Sequence, residues 1–242
     1  YLGLALELLR LSCRIRIRSM ESEGIIRLDP VAAVVGEEVD ADDLAAEHAR
    51  MEASLQARLA QTKTKPTLIE LADSFCLSPL ERDLLLMTLA PALDGSFNVL
   101  YGRLKGLTYR HHLDVDVALS VLAPNLVDRM EHRAMFGPQG NLLTNNLLRI
   151  GRGQLDLGDS FLNLEIRLPD RLVSHLLGRD EVDHSLSAFS RLIEPSETLD
   201  RVVLMPSEKT KIVELVSGHA NYLQALDDWG LGDAIPYGRG VT

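Results

Sequence analysis

Between Pro66 and Pro124, helix start and stop signals follow one another so closely that the segment has room only for a string of short helices. Thr67-Leu-Ile-Glu70, preceded by Pro66, and Ser78-Pro-Leu-Glu81 each place a hydroxyl three residues ahead of a glutamate. At that spacing the hydroxyl accepts from a free first-turn N–H, the carboxylate reaches back to the cap, and a proline at the first helical position loses only a donor without a partner. Leu68, Leu71, Ala72 and Phe75 then form one apolar face. Leu80, Leu84, Leu85, Met87 and Leu89 form the next, which Pro91 is expected to stop. The pair reads as a helix-turn-helix with Cys76 in its turn, where a free cysteine is expected to act as a small buried hydrophobe. Asp94 opens a third helix, carrying Phe97, Leu100, Tyr101 and Leu104 as far as Lys105. Asp114 caps a fourth, with Val115, Ala118, Leu119 and Leu122, ending at Ala123, and a fifth runs from Asn125 to Phe136.

The period then changes. After Gly137-Pro-Gln-Gly140 come Leu147, Leu148 and Ile150, a glycine-rich stretch from Gly151 to Gly158, and Leu162, Leu164, Ile166 and Leu168 alternating with Asn163, Glu165 and Arg167. That alternation predicts a strand. Two strands joined by a glycine-rich tip after three short helices are the layout of a winged helix, with its wing over 142–168. A short helix over Pro169 to Leu177, closed by Gly178, is expected next.

At the N-terminal end, Leu2, Ala5, Leu6, Leu9 and Cys13 recur at helical spacing, whereas Arg14-Ile-Arg-Ile-Arg18 has period two and fits a helix end or a strand. Ser19 to Glu38 reads as a connection. A helix opened by Asp40, Asp42 and Asp43 follows, with Leu44, His48, Met51, Leu55 and Leu59 on one face and its end near Gln61. Arg179 to Pro206 is acidic and weakly patterned. Ser207 to Asp228 reads as an amphipathic helix with Ile212, Leu215, Val216, Leu223 and Leu226 inward, and Trp229 to Gly240 as a loop. The expected fold class is therefore mainly α: a helical segment (1–62), a winged-helix-type domain with a small β-hairpin wing (63–179), and an acidic linker with a further helix (180–242).

With 242 residues, 46% of them hydrophobic, the chain has enough apolar material for real cores. Its mean hydropathy of +0.03 and the charges Glu7 and Arg10 inside its most apolar run argue against a membrane span. Two cysteines make neither a disulfide framework nor a zinc site, so a reducing compartment, the cytoplasm, is expected. The first residue is Tyr with no basic n-region, so no signal peptide is read and the chain looks like part of a longer one.

No HExxH, GxSxG, CxxC, Rossmann or GxxxxGK[ST] pattern occurs, and no catalytic residue is assigned. Gly151-Arg-Gly153 with Gly158 lies between strands rather than at a helix start, which favours a wing tip over a phosphate cradle. Neighbouring His111 and His112 cannot share a helical face, and Asp114 and Asp116 have a sufficient role at a helix start, so no metal site is assigned. A hydrolase using these residues is the remote alternative.

A winged helix raises the question of DNA. The Ser78 helix offers Glu81, Arg82 and Asp83 where a base-reading helix presents basic or amide side chains, and it looks buried. On the fifth helix Arg129, His132 and Arg133 face Asp128 and Glu131, with Arg149 and Arg152 on the wing. Residues 67–179 hold 11 basic against 13 acidic side chains, and 180–242 hold 5 against 11, within a chain of net charge −10. A duplex would meet a mostly repulsive field, so protein binding or intramolecular packing is the favoured use. A DNA-binding transcriptional regulator working through Arg129, Arg133, Arg149 and Arg152 is the alternative.

Leu71-Ala-Asp-Ser-Phe-Cys-Leu-Ser-Pro-Leu-Glu-Arg-Asp-Leu-Leu-Leu-Met-Thr-Leu-Ala-Pro-Ala-Leu-Asp94, continuing through Tyr101 and Asp116-Val-Ala-Leu119, resembles the N-terminal winged-helix region of bacterial AAA+ ATPases often encoded beside contractile injection systems. Asp227-Asp-Trp-Gly-Leu-Gly-Asp-Ala-Ile-Pro-Tyr-Gly-Arg-Gly-Val-Thr242 resembles the segment directly before their first core strand and Walker A loop. The likeness covers about two thirds of the chain. It implies a regulatory or targeting region whose partners are the ATPase core in cis and an unidentified protein, in an assembly that forms a ring. ATP and Mg would belong to the full-length protein; the chain itself carries no Walker A, Walker B, sensor or arginine finger, so no cofactor and no ATP hydrolysis are expected of it. By position Trp229 and Gly230 match the loop that contacts adenine in the family, while a tryptophan plugging a gap at a helix end, with Gly230 as its cap, explains them equally well.

Overall fold

The computed structural model describes residues 1–26, 41–62, 64–151, 160–179 and 198–229. In chain order they form α1 (Leu2–Ser22), α2 (Ala41–Gln61), α3 (Thr67–Ser74), α4 (Pro79–Leu93), α5 (Ser96–Leu104), α6 (Val115–Leu122), α7 (Leu126–His132), α8 (Asn141–Thr144), β1 (Arg149–Gly151), β2 (Glu165–Arg167), α9 (Asp170–Leu176) and α10 (Pro206–Asp228). Turns of 3-10 helix cover Arg133–Phe136, Phe161–Asn163 and Leu199–Arg201. The fold is mainly α with a two-stranded antiparallel sheet, as the sequence pattern predicts. Contacts group residues 1–189 into one compact unit and 190–242 into another.

The period-two arginine stretch is helix. Ala5, Leu9, Cys13, Ile17 and Met20 are buried at helical spacing, so the hydrophobic face of α1 continues straight through it. Arg16 and Arg18 stand off that face and pair with Glu23 and Glu21 at 3.7 and 3.2 Å. α1 packs on α2, α4, α5 and α6 and so lies in the core they share. Leu44 and Leu55 of α2 are buried, and His48 Nε2 lies 2.9 Å from Ser12 Oγ. Arg10 joins α1 to the junction of α4 and α5: it donates to Asp94 at 2.6 Å and to Ser96 at 2.8 Å, and its guanidinium lies 4.8 Å from the Phe97 ring centre.

Of the two expected capping boxes only one forms. Glu81 N–H donates to Ser78 Oγ at 3.3 Å and Ser78 N–H to Glu81 Oε2 at 2.8 Å. At α3, extended Pro66 occupies the N-cap instead, its carbonyl accepting from Ile69 and Glu70, and Thr67 is already helical. Cys76 is exposed rather than buried: the turn after α3 places it at φ +50, with Leu77 N–H bonded back to Ala72, which turns the thiol outward.

Pro91 does not stop α4, which continues to Leu93. A proline inside a helix leaves the carbonyl four residues earlier without its donor. Here that carbonyl belongs to Met87, and the buried Tyr101 hydroxyl of α5 donates to it at 2.7 Å. All residues from Leu84 to Ala90 are buried, so α4 is the central helix of the unit, covered on every side.

The hairpin is shorter than the alternation suggests. Ser160 caps a 3-10 turn over Phe161–Asn163, leaving Glu165–Arg167 to pair with Arg149–Gly151 in the register Arg149–Arg167, Ile150–Ile166, Gly151–Glu165. A further extended segment joins on the other edge: Ile166 N–H donates to Leu113 at 2.9 Å and Val115 N–H to Leu164 at 3.2 Å. The helix α8 was not foreseen; Asn141 within it donates to the Phe75 carbonyl at 2.9 Å and ties the base of the wing to the helix-turn-helix. α9 and Gly178, at φ +74, lie as expected.

In the second unit α10 spans the expected residues, but Ile212, Leu215 and Val216 are exposed, not inward. The described residues of that unit amount to one 3-10 turn and one helix, so among them no second layer lies against this face. Residues 27–40, 152–159, 180–197 and 230–242, with the expected wing tip, most of both connections and the terminal loop, lie outside the described residues.

Candidate interaction surface

Three consecutive helices set the geometry. α5 is followed by the short extended segment at Leu113-Asp114, then α6 and α7, then β1 and β2, with α7 and its 3-10 extension in the position of a recognition helix.

One buried carboxylate organises the junction. Asp114 Oδ1 caps α6 by accepting from Val117 N–H at 2.8 Å. Its Oδ2 meets Lys105 Nζ at 3.0 Å and His111 Nε2 at 2.9 Å. Lys105 also reaches Asp116 at 3.1 Å and Asn163 at 3.2 Å, and Arg129 of α7 lies 3.5 Å from the other Asp116 oxygen. Burial alone would lower the Lys105 ammonium pKa, but the two carboxylates outweigh it and raise it. The aspartates are thus engaged with cations of the chain itself, and among the described residues no three His, Cys, Asp or Glu side chains are grouped to hold a metal ion. His112 stands apart, exposed, 3.7 Å from Glu165.

Of the four arginines considered for phosphate contact, Arg129 is half-buried and held by Asp116 and by the Ala123 carbonyl at 3.2 Å. Arg133 is exposed over the Phe161 ring, 4.4 Å from its centre, and Arg149 is exposed on β1. Arg152 lies outside the described residues. Opposite Arg149 stands Arg167, which is not one of those four and pairs with Glu165 at 2.6 Å. The structure therefore leaves Arg133 and Arg149 of that set outward and separates Arg129 from them in role.

What the sequence reading missed lies at the start of α7. Leu126, Val127 and Met130 are 72%, 73% and 72% exposed, on one face of the turn that a DNA-reading helix would direct at base edges. Asn125 caps this turn, accepting from Asp128 N–H at 2.8 Å. The spacing i, i+1, i+4 was visible, but in a sequence it is indistinguishable from a core face. An exposed apolar cluster on a helix is a contact surface in search of apolar atoms. In the second unit Trp229 is 75% exposed, so it plugs no gap, and its N–H donates to Ala225 at 3.0 Å; Gly230 lies outside the described residues.

Among the described residues no helix is long and apolar enough to cross a membrane. No curated protein and no solved structure matches the chain. A family model does, over residues 1–190, the span of the first compact unit, and its description is "winged helix domain, variant". With helix, bridging segment, two helices and a hairpin in the order that fold requires, and with the match running through α1 as well, the chain belongs to this winged helix family.

Proposed function

We propose that the chain is a non-catalytic, protein-binding regulatory region of a cytoplasmic AAA+ ATPase, of the group encoded beside contractile injection systems, and that it docks through α7. The observation that carries the protein-binding half is the apolar first turn of α7: Leu126, Val127 and Met130 stand exposed where a duplex would demand donors. The acidic balance of the chain and the commitment of Arg129 to Asp116 support the same reading. The ATPase half rests on the resemblance of residues 71–119 and 227–242. In it ATP and Mg belong to a core in cis, Trp229 and Gly230 lie on the adenine side, and the partners are that core and a second protein, in a ring.

The test has two arms. Fluorescence anisotropy with duplex DNA, at low and at physiological salt, is expected to give no saturable binding. Sub-micromolar, salt-dependent binding lost in Arg133→Glu or Arg149→Glu would replace this reading with a DNA-binding regulator. ATP turnover by the chain is expected at blank level, and the reading frame after Thr242 is expected to encode a strand and GxxxxGK[ST]. Turnover above blank, or a different frame, ends the ATPase half.

A further inference from the structure

Among the described residues of the first unit, α7 is the only α-helix with no buried side chain. It sits with its apolar side outward: Leu126, Val127 and Met130 face water, while its half-buried positions are Asp128, Arg129 and His132. No apolar side chain between Pro124 and Ala134 joins the core, although buried Ala123 and Phe136 anchor the chain on either side. The ties that remain are made by two arginines. Arg129 Nη1 lies 3.5 Å from Asp116 Oδ1 and its Nε donates to the Ala123 carbonyl at 3.2 Å, while the Arg133 guanidinium lies 4.4 Å from the centre of the Phe161 ring. The other Asp116 oxygen is held by Lys105, which also binds Asp114 and Asn163, so the acceptor for Arg129 is fixed in the body of the unit.

A packed helix is held down mainly by the apolar area that lifting it would expose. On α7 that area is already in water, so release breaks only a charge pair whose side chains are 27% and 32% exposed, one hydrogen bond and one ring contact. A seven-residue helix does not keep its hydrogen bonds alone in water, so release and unwinding go together. We infer that α7 is a latched arm, hinged at Ala123 and Phe136 and closed by Arg129 on Asp116, which opens as a local unit while α4, α5 and α6 stay folded. The opening stands on these contacts alone. Its consequence, that the apolar turn meets a partner on an adaptable segment rather than a rigid helix, rests on the α7 docking reading.

Native-state hydrogen exchange of the full chain, followed amide by amide by NMR at fixed pH and temperature, tests this. The hydrogen-bonded amides of 129–133 are expected to be roughly a hundredfold less protected than those of 118–123, and indifferent to low urea, because a local opening exposes little surface. Arg129→Gln should speed their exchange roughly two- to fivefold, the contribution of a pair this exposed, and leave 118–123 unchanged. Asp116→Asn should act in the same direction, and the double variant no more strongly than Arg129→Gln alone, since the same contact is removed only once. Arg129→Gln keeps Lys105, Asp114 and Asp116 in place, so it serves even where Asp116→Asn disturbs α6. Protection of 129–133 equal to that of 118–123, or a urea dependence shared with them, overturns the proposal, because α7 then opens only with the whole unit. Additive effects of the two substitutions, or no effect of Arg129→Gln, overturn the latch. No partner enters the measurement, so its outcome is separate from the duplex titration that tests the docking reading.

Discussion

Tyr101→Phe removes one oxygen from the centre of the first unit, and the structure states what that oxygen does. Pro91 has no N–H, so the Met87 carbonyl in α4 lacks its helical partner, and the Tyr101 hydroxyl, at 2.7 Å, takes that place. Both residues are fully buried, so no water replaces the bond. Leaving a buried acceptor without a donor costs about 1–3 kcal/mol, where losing an exposed bond costs a few tenths. For a unit of this size about 2 kcal/mol corresponds to a fall in Tm of roughly 4–8 °C. The discriminating partner is Pro91→Ala, which returns an N–H to the helix at the required position. On its own it is expected to be neutral or mildly stabilising, since the Met87 oxygen has a second lone pair. In the Tyr101→Phe background it should recover most of the loss, a coupling of about 1–2 kcal/mol in a double-mutant cycle measured by urea denaturation with circular dichroism. A neutral Tyr101→Phe, or a double variant as unstable as Tyr101→Phe alone, would refute the account of how α4 passes through its proline.

The two helix starts should respond differently to alanine: Ser78→Ala is expected to cost about 1 kcal/mol and Thr67→Ala less than half of that by the same denaturation, since only Ser78 makes a cap. Gly102→Ala should cost about 3 kcal/mol or more, or yield insoluble protein, because a Cβ there overlaps the Tyr109 carbonyl oxygen. The Ser96 N–H, with help from Arg10 and the Ser96 hydroxyl, holds the Asp94 carboxyl down at about 2, below its ordinary 3.8. Its contribution to stability is therefore complete above about pH 4 and disappears as pH falls toward 2, and a Tm series over that window should fall less steeply in Asp94→Asn than in wild type.

How far the sequence carried depends on whether a signal was local. The Ser78 box, the Asp114 cap, the Leu44–Leu55 face and the Gly178 stop rest on groups within four residues of the next, and each forms as read. The exceptions share one cause: a distant or neighbouring group supplied what the local rule assumed absent. Pro66 displaced Thr67 from its cap, Tyr101 let α4 continue through Pro91, Ser160 took the start of the expected strand into a turn, and the turn geometry at Cys76 exposed a thiol expected inside.

The site shows the same division. The sequence by itself determined that the chain is mainly helical with a small β-hairpin, that its net charge is −10, and where the candidate arginines stand. Only the tertiary structure decided which of them are free: Arg129 is taken by Asp116, 13 residues earlier in the sequence, and Arg167 faces Arg149 across the hairpin. The apolar triplet of α7 and the stripe of α10 have the same helical periodicity as the buried face of α1. Periodicity reports that a face is apolar; whether other atoms cover it depends on what the rest of the chain brings alongside, and that is fixed by packing.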